Sequence, residues 1–200
     1  MNSENRNKII LASASPRRKE LLENANMDFE IIVSRADEID DQNADPCSVA
    51  TENARLKASV VALENPNRLT LGADTVVAFT GKIYGKPKDL ADAKRMLSEL
   101  QGNTHSVFTG ICAAVADKNK NLQVVCDAEE SRVTFKKLTS KQIDEYLMVV
   151  NVLDKAGAYA AQEHGEMIIE NIDGAFDNVM GLPVQASKKI LDTLKNLSHT

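Results

Sequence analysis

The amino-acid sequence predicts an α/β protein built on a mixed sheet, and three observations carry that prediction. Segments with strand character alternate with segments of helical spacing along the chain. No repeat period, interdomain linker or low-complexity tract interrupts the alternation. The chain has 200 residues, 43% hydrophobic and 26% charged, which is ordinary for a soluble globular protein. Domains hold about 100–200 residues, and a chain of this size buries about 70% of its unfolded surface. Residues 1–200 are therefore read as a single domain that needs no disulfide or structural metal, with the polar residues 1–7 as a frayed tail.

Lys8 to Ala12 reads as a short buried strand, and Ser13-Ala14-Ser15-Pro16 ends it. Pro16 suits the first turn of a helix and Ser15 the N-cap, so a helix is expected through Arg17, Arg18 and Leu22 to about Asn26. Phe29 to Val33 is a second strand, reached by either a hairpin-like return or a crossover. Ala36 to Pro46 is an acidic loop. Cys47 to Leu63 has helical spacing, with Val49, Leu56, Val60 and Leu63 on one face and Arg55 and Lys57 off it. Leu69 to Phe79 is an apolar strand that carries one carboxylate, Asp74. A turn at Thr80-Gly81-Lys82 follows, then a helix from the cap Asp89 to Leu100. Gly102–Ala116 and Leu122–Phe135 read as strands joined at Asp117-Lys118-Asn119. Thr139 starts a helix through Leu147, Asp154 to Gln162 is rich in Gly and Ala, and Met167 to Ile172 is strand-like. Asn178 to Pro183 reads as a loop before a terminal helix from Val184 to Leu197.

Acidic residues outnumber basic ones 29 to 24, a formal net charge of -5. Broad nucleic-acid binding would need an extended basic face, so no nucleic-acid partner is expected, and any phosphate ligand must be held by a local cluster of cations. Aromatics are 4% with no Trp, which argues against a stacking platform. Cys47, Cys112 and Cys126 are odd in number and widely spaced, so they read as idle thiols of a reducing compartment. The longest apolar run near the start, Ile9 to Ala12, is too short for a signal-peptide core, and no stretch reaches the roughly 18 apolar residues of a membrane span. A cytoplasmic location without a membrane partner is expected.

Three segments can carry chemistry. Ser13-Ala14-Ser15-Pro16-Arg17-Arg18 places hydroxyls and guanidinium groups at a helix start, where backbone N–H groups and the helix dipole favour an anion. The plainer alternative is a capped helix with two solvated arginines. Asp74 lies within an apolar strand, and a buried carboxylate must be paired, protonated or on a metal. It suits a general base or a cation ligand, or a strand-end turn bonded to backbone. Lys57, Lys86 and Lys155 are cations beside constrained or small-residue segments, and each alone also reads as a surface lysine. Asp37 and Glu38 of the acidic loop are candidate metal ligands, whereas His105 and His164 lack metal-ligand spacing. Phosphate-loop, dinucleotide-fold, His-Glu-x-x-His and nucleophile-elbow motifs are absent.

The ordered set of segments resembles the Maf family of nucleoside triphosphate pyrophosphatases over nearly the whole chain. The resemblance rests on Ser13-x-Ser-Pro-Arg-Arg-x-Glu-Leu-Leu22, Asp37-Glu38, Lys57, Gly72-Ala73-Asp74-Thr75, Gly85-Lys86-Pro87, His105 to Gly110, Ser131 to Phe135, Asp154 to Tyr159 and Asn178 to Pro183. It implies an elongated mixed sheet flanked by helices, with two lobes around a central cleft, as in inosine triphosphate pyrophosphatase-like proteins. It also implies a hydrolase that cuts the bond between the α and β phosphates of a nucleoside triphosphate, with a divalent cation, Mg²⁺ or Mn²⁺, and a homodimer. Asp154 to Tyr159 followed by Gln162 is similar to the branch acting on dTTP and UTP, rather than the branch with Cys-Ala-Gly-Ser-Phe associated with 7-methyl-GTP.

By the same resemblance Asp74 is the proton acceptor. Ser13, Arg17, Arg18, Lys57, Thr75, Lys86, Lys155 and Gln162 bind substrate. Arg17, Thr75 and Gln162 select the base, and Asp37, Glu38 and Asp74 hold the metal. An amide such as Gln162 donates and accepts at once, which suits the O4/N3–H edge of uracil or thymine. The chain departs from the family pattern at Asn151, often Glu, at Glu163, commonly Gly, and at Gln101, often Ser. Glu163 adds bulk and negative charge beside the expected base pocket. The rival functions are the same reaction on a purine or 7-methylguanine nucleotide, and a non-catalytic nucleotide-binding regulator of cell division.

Overall fold

The computed structural model describes residues 8–197, and the tail assigned to residues 1–7 lies outside them. Strand β1 (Ile9–Leu11), helix α1 (Pro16–Asn24) and strand β2 (Phe29–Ile31) form a crossover, because β2 pairs with β1 in parallel. Helix α2 (Pro46–Glu64) then leads to β3 (Thr70–Phe79), which lies parallel on the other side of β1. β4 (Lys82–Tyr84) turns back on the far end of β3. After α3 (Leu90–Leu100) come β5 (Thr104–Ala116) and β6 (Leu122–Phe135), a long antiparallel pair. Helix α4 (Ser140–Val149), β7 (Ile169–Asp173), α5 (Phe176–Met180) and α6 (Val184–Leu197) complete the described chain. The result is a mixed seven-stranded sheet in the order β2-β1-β3-β5-β6-β7 with β4 on β3, as the alternation of elements predicts. The expected loop over 178–183 is in part helical: residues 176–180 form α5, which Gly181 ends at φ +109°.

Two large apolar cores sit on this sheet, beside three smaller clusters. One packs Leu97, Leu100, Phe135, Ile143 and Tyr146 around α3, α4 and the paired ends of β5 and β6. The other packs Leu11, Leu22, Leu71, Ile111, Leu182 and Leu191 around α1 and α6. Each fully buried Leu, Ile or Phe contributes about 1.5–3 kcal/mol. β3 serves both cores: Leu71 and Ala73 belong to the second and Val77 to the first. Asp74 and Thr75 fall between them on the strand, where a cleft opens.

Helix α2 covers the sheet by an unexpected face. Its buried residues include Ala50, Asn53, Ala54, Ala58, Val61 and Ala62, whereas Leu56 and Val60 are only half-buried and Leu63 is exposed. Of the face predicted from large apolar residues, Val49 is buried, but Leu56, Val60 and Leu63 are not. The reason lies in the strands beneath. A Cβ on Gly72 would stand 2.4 Å from the Ala54 carbonyl oxygen, and one on Gly110 2.4 Å from that of Ala50. Helix and sheet backbones are in contact there, and only Gly and Ala leave the room.

The cysteine reading also needs correction. Cys112 and Cys126 are directly opposed on β5 and β6 and form a disulfide, with Cα atoms 4.1 Å apart; Cys47 alone remains a free thiol. The hairpin makes this pair: each cysteine lies seven residues from Asn119 at its turn.

Two predictions follow from this packing. Gly110→Ala places a methyl against helix backbone, which must shift, so unfolding free energy should fall by about 1–3 kcal/mol in denaturant titration. Second, His105 is 2% exposed, with Nε2 2.9 Å from the Tyr159 hydroxyl and edge-on to the Phe135 ring. Burial pushes its imidazole down to about 4. The unfolded chain then binds the extra proton, so this group's contribution is complete above about pH 6.5 and is lost as pH falls towards 4. The loss should amount to about 3 kcal/mol. Urea midpoints of His105→Gln should accordingly fall less steeply across that window than those of the unaltered protein.

Candidate active site

The cleft is built up from Asp74. This residue is 8% exposed, and both its oxygens are held by α2. Lys57 Nζ lies 2.7 Å from Oδ1, and Asn53 Nδ2 donates to Oδ2 at 3.2 Å. Positions four apart share a helix face, so one turn of α2 delivers both contacts. Lys57 also reaches Glu38 Oε2 at 3.1 Å. The loop that carries Glu38 is fastened by Asn53 as well: the Ile39 N–H donates to Oδ1 at 2.7 Å, and Nδ2 donates to the Ile39 carbonyl at 3.1 Å.

The β1–α1 turn supplies the second wall. Ser15 occupies the N-cap of α1 with Pro16 next, as predicted, but its hydroxyl makes no capping bond. Its N–H donates instead to Ser13 Oγ at 3.2 Å. Arg18 spans the turn, donating from Nη1 to Ser13 Oγ at 3.0 Å, from Nη2 to Thr75 Oγ1 at 3.2 Å and from Nε to the Gly181 carbonyl at 2.8 Å. Burial holds this guanidinium below its ordinary value, and nearby Asp74 opposes the shift. Thr109 Oγ1 donates to the Asn178 carbonyl at 3.0 Å and lies 3.0 Å from Thr75 Oγ1. A hydroxyl has one proton, so Thr75 donates to Thr109 and accepts from Arg18.

The third wall comes from the segment after α4. Lys155 is 5% exposed; its ammonium donates to the Asn151 carbonyl and to Asp154 Oδ1, and lies 3.7 Å from Glu163 Oε1. The tight bend that follows needs Gly157, at φ +68°, whose missing Cβ leaves room for Val77. Arg17 reaches across from α1 to Asp154 Oδ2 at 3.0 Å. Burial would raise the Asp154 carboxyl, but bonds from Lys155 and Arg17 hold it below the usual range. Gln162 donates from Nε2 to Glu163 Oε1 at 3.3 Å, while its Oε1 is buried without a partner. Lys86 lines the cleft and takes part in no ion pair among the described residues.

These walls enclose about 1060 Å³, at the upper end of the range for small-molecule sites. Ser13, Arg17, Arg18, Lys57, Asp74, Thr75, Lys86, Lys155, Gln162 and Glu38 all line it. Asp37 is exposed and does not line it. No group of three or more His, Cys, Asp or Glu converges among the described residues. Glu38 and Asp74 both contact the Lys57 ammonium, however, and so converge on one cation. Mg²⁺ uses one or two carboxylates and completes its shell with water and phosphate oxygens, so this hard-oxygen pair suits it. Asn53 was not singled out by the sequence reading; the signal was its place one helical turn before Lys57.

No described helix is long and apolar enough to cross a membrane. Comparison with known proteins agrees with the sequence resemblance. The chain is 45% identical to a dTTP/UTP pyrophosphatase of Akkermansia muciniphila over 93% of its length and 96% of the relative's. It is 44% identical to a dTTP/UTP pyrophosphatase of Bacillus cereus, covering 90% of this chain and 87% of that one. Among solved structures, the Ham1 protein of Staphylococcus aureus aligns over 94% of this chain and 98% of its own, at 14% identity and a TM-score of 0.46. Residues 8–194 match the family described as Maf-like protein, and with relatives at 44–45% identity over most of both chains, the chain belongs to the Maf family.

Proposed function

We propose that the protein is a nucleoside triphosphate pyrophosphatase, a nucleotide diphosphatase that converts dTTP and UTP to the monophosphate and pyrophosphate. The observation that carries this reading is Asp74, a buried carboxylate held between Lys57 and Asn53 in a cleft lined by separated cations. The names of the relatives supply the substrate class. The proposal takes residues 1–200 as one Maf-like domain acting in the cytoplasm, as a homodimer.

In this mechanism the phosphate chain binds along Ser13, Arg18, Lys57, Lys86 and Lys155, which offset its roughly four negative charges. Arg17 and Lys155 exchange their carboxylate partners for phosphate oxygens. Asp74 accepts the proton of an attacking water as the new P–O bond forms. The bridging P–O bond breaks in line, and the leaving pyrophosphate carries away the negative charge beside the lysines. Asp74 and Glu38 would hold a divalent cation, Mg²⁺ or Mn²⁺, which neutralises phosphate oxygens when bound. Arg17, Thr75 and Gln162 set base preference. The unpartnered Gln162 Oε1 is an acceptor suited to the N3–H of uracil or thymine.

Pyrophosphate release from dTTP, UTP and 7-methyl-GTP, each with Mg²⁺ or Mn²⁺, tests the assignment. Release from dTTP and UTP is expected; preferred release from 7-methyl-GTP, or none from any nucleotide, refutes it. Asp74→Asn should lower kcat by about 10²–10⁴-fold with the fold intact by circular dichroism, and a rate near that of the unaltered enzyme would remove Asp74 from its role. Gln162→Ala should narrow the preference for UTP over 7-methyl-GTP about tenfold, read as a ratio of kcat/KM values, while an unchanged ratio would exclude Gln162 from base selection.

A further inference from the structure

Asn53 spends its whole donor capacity at one point. A side-chain amide has two N–H bonds and one carbonyl oxygen. Its two N–H groups serve the Ile39 carbonyl at 3.1 Å and Asp74 Oδ2 at 3.2 Å, and its oxygen accepts the Ile39 N–H at 2.7 Å. Turning the amide over would set its oxygen against two acceptors and its N–H groups against a donor, so the three neighbours fix its orientation. Neither a carboxylate nor an aliphatic side chain at this position can make the same three bonds.

Burial alone does not call for this arrangement. Asn53 is 2% exposed on a helix face otherwise built mostly of Ala and Val, where an apolar residue would fill the space. Ile39 itself is 40% exposed. What the amide adds is position. It ties the segment carrying Glu38 to the helix that carries Lys57, and it holds the Asp74 oxygen that Lys57 leaves open.

We propose that Asn53 is a positioning residue for the hydrolysis: it fixes the Asp74 carboxylate and registers Glu38 against it, so that the two present one cation and one water to the phosphate chain. This inference rests on the proposed pyrophosphatase reading. Displacement of a reacting group by about 1 Å can cost about 100-fold in rate, so loss of this clamp should appear in kcat rather than in nucleotide affinity.

Two variants separate its halves. N53L removes all three bonds at similar volume. N53D keeps the acceptor for the Ile39 N–H but loses both donors, to Asp74 and to the Ile39 carbonyl. For N53L, kcat on the best nucleotide should fall about 10- to 100-fold, with KM within about threefold and a circular dichroism spectrum like that of the unaltered protein. Hydrogen exchange at the Ile39 amide should accelerate at least about tenfold, as expected when a bond of about 1.4 kcal/mol is lost. For N53D, kcat should fall to a similar degree while Ile39 exchange stays slow. Unchanged kcat in both folded variants overturns the positioning role, as does a loss confined to KM. If N53L does not accumulate as folded protein, N53D decides the matter by the same two readings. Should the unaltered protein release pyrophosphate from no nucleotide, the hydrolase reading fails by itself; Ile39 exchange then still decides the clamp, and equal rates in N53L and the unaltered protein overturn it.

Discussion

Everything at the site depends on how closely α2 lies on the sheet. Gly72 and Gly110 carry no Cβ, and Ala50 and Ala54 face them, so helix and strand backbones touch without intervening side chains. Such a contact forgoes the area that larger residues would bury, and close packing recovers part of it through dispersion. The two flanking cores supply the bulk of the apolar burial, which leaves this seam free for placement. Because the helix sits so low, an Asn with only two rotatable side-chain bonds reaches Asp74, and Lys57 meets it from one turn on. A Leu-lined seam would raise the helix and remove both contacts.

That placement also explains how an acidic chain can receive a polyanion. The cations of the cleft come from α1, α2, the segment after β4 and the segment after α4, and most have carboxylate partners. Those partners differ in how firmly they hold. Asp154 and Glu163 are well exposed, and exposed pairs contribute only about 0–1 kcal/mol. Arg17 can therefore leave Asp154 for a phosphate oxygen at little cost. The Lys57–Asp74 pair is nearly closed to solvent on both sides and is far less screened. The cleft thus combines a fixed charge centre on α2 with exchangeable cations around it.

Much of this was legible in the sequence, and the misses share a cause. Most strands and helices followed from periodicity and punctuation, though not β4 or α5, and Asp74 stood out as a carboxylate within an apolar strand. The motif segments that line the cleft come from different places: the β1–α1 turn, the middle of α2 at Lys57, the middle of β3 at Asp74 and Thr75, and the segments after β4 and α4. Hydrophobic spacing misplaced the face of α2, since it weighs large residues and here the contact is made by small ones. Asn53 escaped for the same reason: its significance lies in Ile39 and Asp74, which are distant in sequence, and not in its own neighbours. The Cys112–Cys126 pair depends on the hairpin centring on Asn119, one residue beyond the middle of the expected Asp117-Lys118-Asn119 turn, and counting outward from that middle misaligns the two sulfurs. Asp37 and Glu38 read alike in sequence, whereas Glu38 lines the cleft and Asp37 does not.

The departures from the family pattern acquire a physical meaning from the same geometry. At position 151 it is the backbone carbonyl that accepts from Lys155, so a change from Glu to Asn leaves that bond in place. Glu163 does not stand bare beside the base pocket: it lies near the Lys155 ammonium and accepts from Gln162 Nε2. That second bond orients the Gln162 amide, because the reversed amide would set its oxygen against a carboxylate. The amide oxygen is then committed as the acceptor left for a ligand. A Gly at the same position would leave this orientation to the ligand alone. Under the proposed role of Gln162, the added carboxylate would work with it in favouring a base edge that can donate, and the extra negative charge is already matched by the lysine beside it.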